Sequence, residues 1–269
     1  MRKEKAELPN IRSRELGDGL RAAMRDAGLG VRELARRLGW THPYISHLLS
    51  GSRSYTELDL LSVLLVCNVG IDERRRLLQL SRELGSLGWL QQYESGVPEQ
   101  PRTLIGHERK ATDIVEVQLV TVPKLLQAEG YARALIGRDE ARVRDRLARQ
   151  DVFNRSPPPR TVFFLHEVTL RTTVGDMPEQ IHHLLRYSVR PSVELRIVPT
   201  TAGIRTGAFT LMESAEFEPI VYLEGEVSAV FLERPHQIAA YRRILSALKC
   251  SALDREKSRE MLTTMAVGR

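Results

Sequence analysis

Lysine is scarce in this chain of 269 residues. It occurs at only six positions, 3, 5, 110, 124, 249 and 257, and arginine supplies the rest of the 40 basic side chains. Such a bias is a hint of genome type, GC-rich codons favouring arginine, and carries no mechanism. Cysteine is scarcer still. Cys67 and Cys250 sit in the apolar stretches LLVCNVG and ALKCSAL, with no metal-ligand partner at close spacing. Zinc-finger spacing and a disulfide framework are thereby excluded, and thiols in a reducing cytoplasm are expected. Long apolar runs are absent too. The longest, LDLLSVLLVC, is too short to span a bilayer and carries Asp59. The first ten residues, MRKEKAELPN, have no apolar core of a signal-peptide kind. A soluble cytoplasmic protein without a membrane partner is expected. Also missing are a phosphate-cradling glycine loop, a nucleophile elbow and a Cys/His nucleophile arrangement. The expectation is therefore no enzyme, no cofactor and no metal.

What is present is an uneven distribution of charge. Residues 1–56 hold eleven Arg and Lys against six Asp and Glu, a net +5 out of +6 for the whole chain. A positive field concentrated at one end suits a polyanion such as double-stranded DNA. The length suggests about two domains, and the hydrophobic fraction of 42% is ordinary for a soluble globular protein.

Residues 13–80 read as short helices. Leu16, Leu20, Ala23 and Met24 recur at helical spacing, and Gly28 ends that segment. Val31 to Leu38 forms a second helix, followed by Gly39 where a left-handed residue makes a sharp turn. Thr41 caps a third helix, which buries Ile45, Leu48 and Leu49 and stops at Gly51. Thr56 caps a fourth, with Asp59 three residues on as in a capping box. A fifth is expected from Arg74 to Leu84.

The second and third helices are short, joined by about four residues, and Ala35 is small where they approach. That is a helix-turn-helix pattern, in which the second member enters the major groove. Its exposed positions are His42, Pro43, Tyr44, Ser46 and His47. His42, Pro43, Ser46 and His47 are the candidate base readers, since His and Ser donate to or accept from base edges. Thr41 and Tyr44 are assigned to phosphate oxygens, and Arg32 and Arg53 to phosphate clamping.

The stretch from Leu20 to Leu65 resembles the Cro/repressor-type, or XRE-type, helix-turn-helix. Leu34-Ala35, Gly39, Ile45-Ser46 and Gly51 carry the resemblance. Gly30 and Val31 depart from it, standing where a Ser or Thr cap and a Gln are frequent, and so one usual phosphate contact is lost.

Beyond Leu84, residues 85–103 read as a connection rich in Gly, Pro and polar residues, onto which Trp89, Leu90 and Tyr93 could dock. The remainder mixes helices and strands without βαβ alternation. Strands are expected in TDIVEVQLVTVP, TVFFLHEV, VELRIVP, AFTLMES, PIVYLEG and AVFLE. Helices are expected in YARALIGRDEARVRDRLARQDVFNR, PEQIHHLLRYSVR, HQIAAYRRILSALK and DREKSREMLTTMA. The fold class is thus α+β overall. A helix-turn-helix domain occupies residues 10–84, a connection 85–103, and a mixed α+β domain 104–269. On the helix at 178–188, Ile181, Leu184 and Leu185 take the core face and leave Glu179, His182 and Arg186 solvated, which argues against a metal site there.

KLLQAEGYARAL, RLARQ, HEVTLRTTVG, RPSVELRIVPTTAG, GAFTL and VYLEG, in that order, resemble the C-terminal domain of actinobacterial antitoxin-like regulators found beside small partner proteins. The resemblance covers residues 104–265. It implies the domain order and a small protein from an adjacent gene as a partner; binding of DNA as a homodimer is expected separately, as part of the regulator reading. Arg149, Gln150 and Glu167 fall in these segments as polar residues beside apolar ones. Two readings stand for them: a buried Arg–Glu pair holding the domain together, or a polar pocket for a small ligand or a partner's chain end. The leading expectation is a DNA-binding regulator. The alternatives are an antitoxin-like interaction module and a ligand-sensing regulator.

Overall fold

The computed structural model describes residues 10–50, 56–84, 88–92, 102–203 and 206–268. The chain forms two compact units. The first comprises Met1–Trp89 with Glu216–Glu218 and Phe231–Arg234, and the second holds the rest.

The first unit is built on five helices: α1 (Ile11–Asp26), α2 (Val31–Leu38), α3 (His42–Ser50), α4 (Glu57–Val66) and α5 (Ile71–Arg82). Their apolar stripes enclose one core of Leu16, Leu20, Leu34, Ile45, Leu60, Val63, Leu64 and Leu77, all fully buried. The ends are set locally. Asn10 accepts from the Ser13 amide at the start of α1, Gly39 takes φ 67° after α2, and Thr56 with Asp59 forms the expected capping box on α4. α5 starts three residues earlier than the periodicity predicted, because Asp72 and Glu73 supply the acidic first turn that a helix N-terminus favours.

Two segments distant in sequence complete this unit. The buried carboxylate of Glu233 accepts from the Ile11 amide at 3.0 Å and the Gly88 amide at 2.9 Å. It thus ties the first turn of α1 to the end of the helical run. The Arg14 guanidinium lies 5.0 Å from the Phe217 ring centroid, and burial pulls its pKa down to about 10.

Among the described residues the strands form one seven-stranded sheet: β1 (Trp89–Gln92), β2 (Asp113–Gln118), β3 (Arg160–His166), β4 (Val193–Val198), β5 (Phe209–Glu213), β6 (Ile220–Glu224) and β7 (Ser228–Leu232). The order is β1-β7-β6-β5-β2-β3-β4. β2 pairs parallel with β3, and β3 with β4, whereas β5 is antiparallel to β2 and β6, so the sheet is mixed. The helices are α6 (Arg102–Lys110), α7 (Glu129–Ile136), α8 (Glu140–Ala148), α9 (Glu167–Arg171), α10 (Met177–Ser188), α11 (Pro235–Ser251) and α12 (Arg255–Val267).

Three expectations need correction. The segment 85–103 is not wholly irregular, since Trp89–Gln92 joins the sheet as β1; Tyr93 lies outside the described residues. The long helix expected from Tyr131 is broken. Gly137 takes φ 84°, and Asp139 caps a new helix by accepting from the Arg142 amide, so α7 and α8 are separate and a 3-10 turn at Arg149–Asn154 follows. The strand expected over 161–168 ends at His166, and Glu167 opens α9.

Cross-strand pairing defines one face of the sheet. Leu195, Phe163, Glu116, Thr210 and Tyr222 form a single row across β4, β3, β2, β5 and β6, and paired residues share a face. All five are buried. The neighbouring row contains Ile114, Met212 and Ile220, so this face is apolar at one end and becomes polar towards the ends of β2 and β6.

Candidate nucleic-acid interface

α3 is held by contacts that reach it from three sides. Ile45, Leu48 and Leu49 are buried in the core. Gly17 lets α1 cross at very short range: a Cβ there would stand 2.1 Å from the Leu49 carbonyl oxygen. Arg21, also on α1, donates to that oxygen at 2.7 Å and satisfies one of the last carbonyls of α3. At the other end, the Thr41 hydroxyl accepts from the Tyr44 amide at 3.4 Å as a long cap. Sequence reasoning missed Arg21 and Gly17, because neither carries a motif; both matter only once α1 crosses α3.

With that face fixed, Thr41, His42, Pro43, Ser46 and His47 are exposed together. Arg32, the second residue of α2, is exposed as well. Tyr44 differs from its expected role. It is only half-exposed, its ring packs edge-on against Trp40 at 5.1 Å, and its hydroxyl donates to Asp59 at 2.9 Å. It fastens α3 to the capping box of α4, so its hydroxyl is taken up within the fold. Arg53 lies outside the described residues. On α2, Glu33 accepts from both Arg36 and Arg37, and these bonds hold its carboxyl down at about 2. The exposed surface of α2 therefore stays charged at any ordinary pH. The exposed face of α3 thus carries hydroxyl and imidazole groups, which can donate hydrogen bonds or accept them.

In the second unit the three polar residues singled out from sequence do not meet. Arg149 pairs with Glu108, not Glu167, through two bonds at 3.1 and 2.6 Å. Both side chains are buried, 7% and 4% exposed. Gln150 lies in the same region, donating to the Gln127 carbonyl and accepting from the Tyr187 hydroxyl. Glu167 stands elsewhere. It accepts from Arg171 and from the Thr200 amide, and the Thr200 bond is the first reason that its carboxyl is held low. No local signal marked Glu108 as the partner, since 41 residues separate it from Arg149.

No curated protein matches the chain. A solved structure of TrmBL2, an archaeal chromatin protein with a novel mode of DNA binding, aligns over 87% of this chain and 92% of that one, at 12% identity and a TM-score of 0.32. That likeness is too distant to define the fold. Residues 15–77 match a family described as a helix-turn-helix domain, which covers most of α1, all of α2 to α4 and the first half of α5. Residues 101–264, more than half of the chain, match a family described as a domain of unknown function, DUF5753, and the protein therefore belongs to the DUF5753 family, with a helix-turn-helix ahead of the domain that defines it.

Proposed function

We propose that this protein is a sequence-specific regulator of transcription, working in the cytoplasm, that binds double-stranded DNA as a homodimer through α2 and α3 and is modulated through its C-terminal domain. The observation that carries the reading is the exposed row Thr41, His42, Pro43, Ser46 and His47 on a helix whose opposite face is fully committed to the core. Its work is binding, not catalysis. His42, Pro43, Ser46 and His47 read base edges, and Arg32, Thr41 and Arg53 hold phosphates. The first test is mapping of bound DNA across the genome, followed by His47→Ala on the site found. The substitution is expected to cost about 1–3 kcal/mol on that site and little on random DNA. Equal losses on both would remove His47 from the reading set. Absence of any enriched site would count against the whole reading.

The resemblance to actinobacterial antitoxin-like regulators supports a second role, in which the C-terminal domain holds a small protein from an adjacent gene. Co-purification of the full chain with that protein tests it, and loss of the complex when residues 104–269 are removed is the expected result.

A further inference from the structure

α4 has the composition of a buried helix, yet one side of it is open to solvent. Its ten residues, ELDLLSVLLV, carry charge only at Glu57 and Asp59, both in the first turn. A helix that is apolar all round belongs inside a protein. Leu60, Val63 and Leu64 meet that expectation and face the core. Leu58 and Leu65 do not. They stand 71% and 54% exposed, and their spacing places them two turns apart on one side of the helix. Ile71, at the start of α5, is 69% exposed. Among the described residues these three are the exposed large apolar side chains of the helical unit, and all belong to the α4–α5 hairpin.

The hairpin is antiparallel, since Arg82 at the end of α5 donates to Glu57 at the start of α4 at 2.6 Å. Its outer surface has two parts. α4 offers a ridge, Leu58 and Leu65 with the half-buried Leu61 and Ser62 between them. α5 offers an open groove of about 530 Å³ along Ile71, Arg74, Leu78 and Arg82. Ridge and groove adjoin, because Arg82 lines the groove and its partner Glu57 precedes Leu58. Charge around them is balanced. One end carries Glu57 and Arg82, and the other carries Asp72 and Arg75, bonded at 3.4 Å. Arg74 is turned to the Val69 carbonyl at 2.8 Å.

We propose that this α4–α5 face is the surface through which two copies of the chain associate. A polyanion or an acidic peptide calls for a field of one sign, whereas this rim has an acid and a base at each end around an uncharged centre. A second copy matches it in shape and in charge. A two-fold axis across the hairpin lays the ridge of each copy in the groove of the other, the reciprocal contact of an isologous interface. It also sets the Glu57–Arg82 end of one copy against the Asp72–Arg75 end of the second, where each base meets an acid. The inference rests on the homodimer of the functional reading and assigns its interface. It also has a consequence for operator geometry. Tyr44 donates to Asp59 at 2.9 Å, which fastens α3 to the same helix. Pairing through α4 therefore sets the separation of the two reading helices, and half-sites one turn apart, about 34 Å, require a fixed one.

The test is light scattering and sedimentation of the full chain without DNA, over a concentration series. The parent is expected to be a dimer. Leu58→Glu combined with Leu65→Glu should weaken association about a hundredfold or more, because each carboxylate would enter the contact unpaired. Val120→Glu, at an exposed apolar position of the second unit, should leave the dimer unchanged. If the double glutamate variant loses its cooperative melt, Leu58→Ser with Leu65→Ser decides, since it adds no charge beside the core; about a tenfold weakening is expected. A dimer that persists in the leucine variants would overturn this face and leave the homodimer standing on another. A parent that is monomeric throughout would overturn both. Growth beyond a dimer would show a head-to-tail contact instead. A monomeric parent whose leucine variants lose only a complex with the adjacent-gene protein would assign the face to that protein. DNA binding is scored separately by the mapped sites, so its failure is not confused with loss of the dimer.

Discussion

The α2–α3 face of the helical unit and the buried sheet face of the second unit treat charge in opposite ways. In the helical unit the core is a set of leucines, isoleucine and valine, and the polar residues of α2 and α3 face outward. In the second unit a carboxylate sits in the middle of a buried strand row, and an Arg–Glu pair is almost fully enclosed. The outward set can change without disturbing the fold, so it is free to specialise for a ligand such as DNA. The inward set is bound to the stability of the domain, and each member is costly to lose alone.

The sharpest way to break that comparison is Arg149→Met. It strands the Glu108 carboxylate in a buried position and is expected to cost about 3–5 kcal/mol, seen as a large fall in melting temperature. Replacing both partners with apolar residues should recover most of the loss. If Arg149→Met costs no more than a surface change, the buried pair is not what holds this region together.

Gly17→Ala probes the helical unit through packing. The added methyl meets the Leu49 carbonyl oxygen, and we expect a loss of about 1–3 kcal/mol as α3 shifts. DNA affinity should fall with it. A variant as stable as the parent would show that α1 can move away freely.

The smallest effect concerns pH. His183 on α10 is held at about 4, first by burial and then by repulsion from Arg186 and Arg190. The unfolded chain binds a proton there near 6.5, so between that value and about 4 the unfolded state carries more protons. Stability from this group is present at neutral pH and declines as pH falls through that window. Since the ring is only partly buried, the loss is about 1 kcal/mol after screening. Melting curves at neutral and mildly acidic pH, compared with His183→Leu, should show a smaller acid-induced drop in the variant.

Local signals were legible in the sequence and distant ones were not. Thr56 and Asp59 are three residues apart, and their capping box was readable from spacing; so were the turn at Gly39 and the alternation around β2. The break at Gly137 was hidden, because a single glycine inside a strongly helical pattern reads as a tolerated interruption. On α3 the exposed residues followed from the positions of Ile45, Leu48 and Leu49. The fate of Tyr44 did not, since its partner Asp59 belongs to another helix. Arg149 looked like half of a buried pair, but which carboxylate completes it depends on how α6 packs beside the turn after α8. That is a property of the tertiary arrangement, and no spacing rule reaches across it.

Glu233 gives the helical unit an unusual history. Synthesis delivers α1 to α5 first, yet the carboxylate that accepts from the Ile11 and Gly88 amides comes 145 residues after Gly88. At roughly 5–20 residues per second this is a wait of about 7–30 seconds on the ribosome. During that interval the first amide of α1 has no such acceptor. A nascent or prematurely ended chain therefore displays the helices without the clasp that joins their two ends, and the finished head is a mark that translation has passed β7.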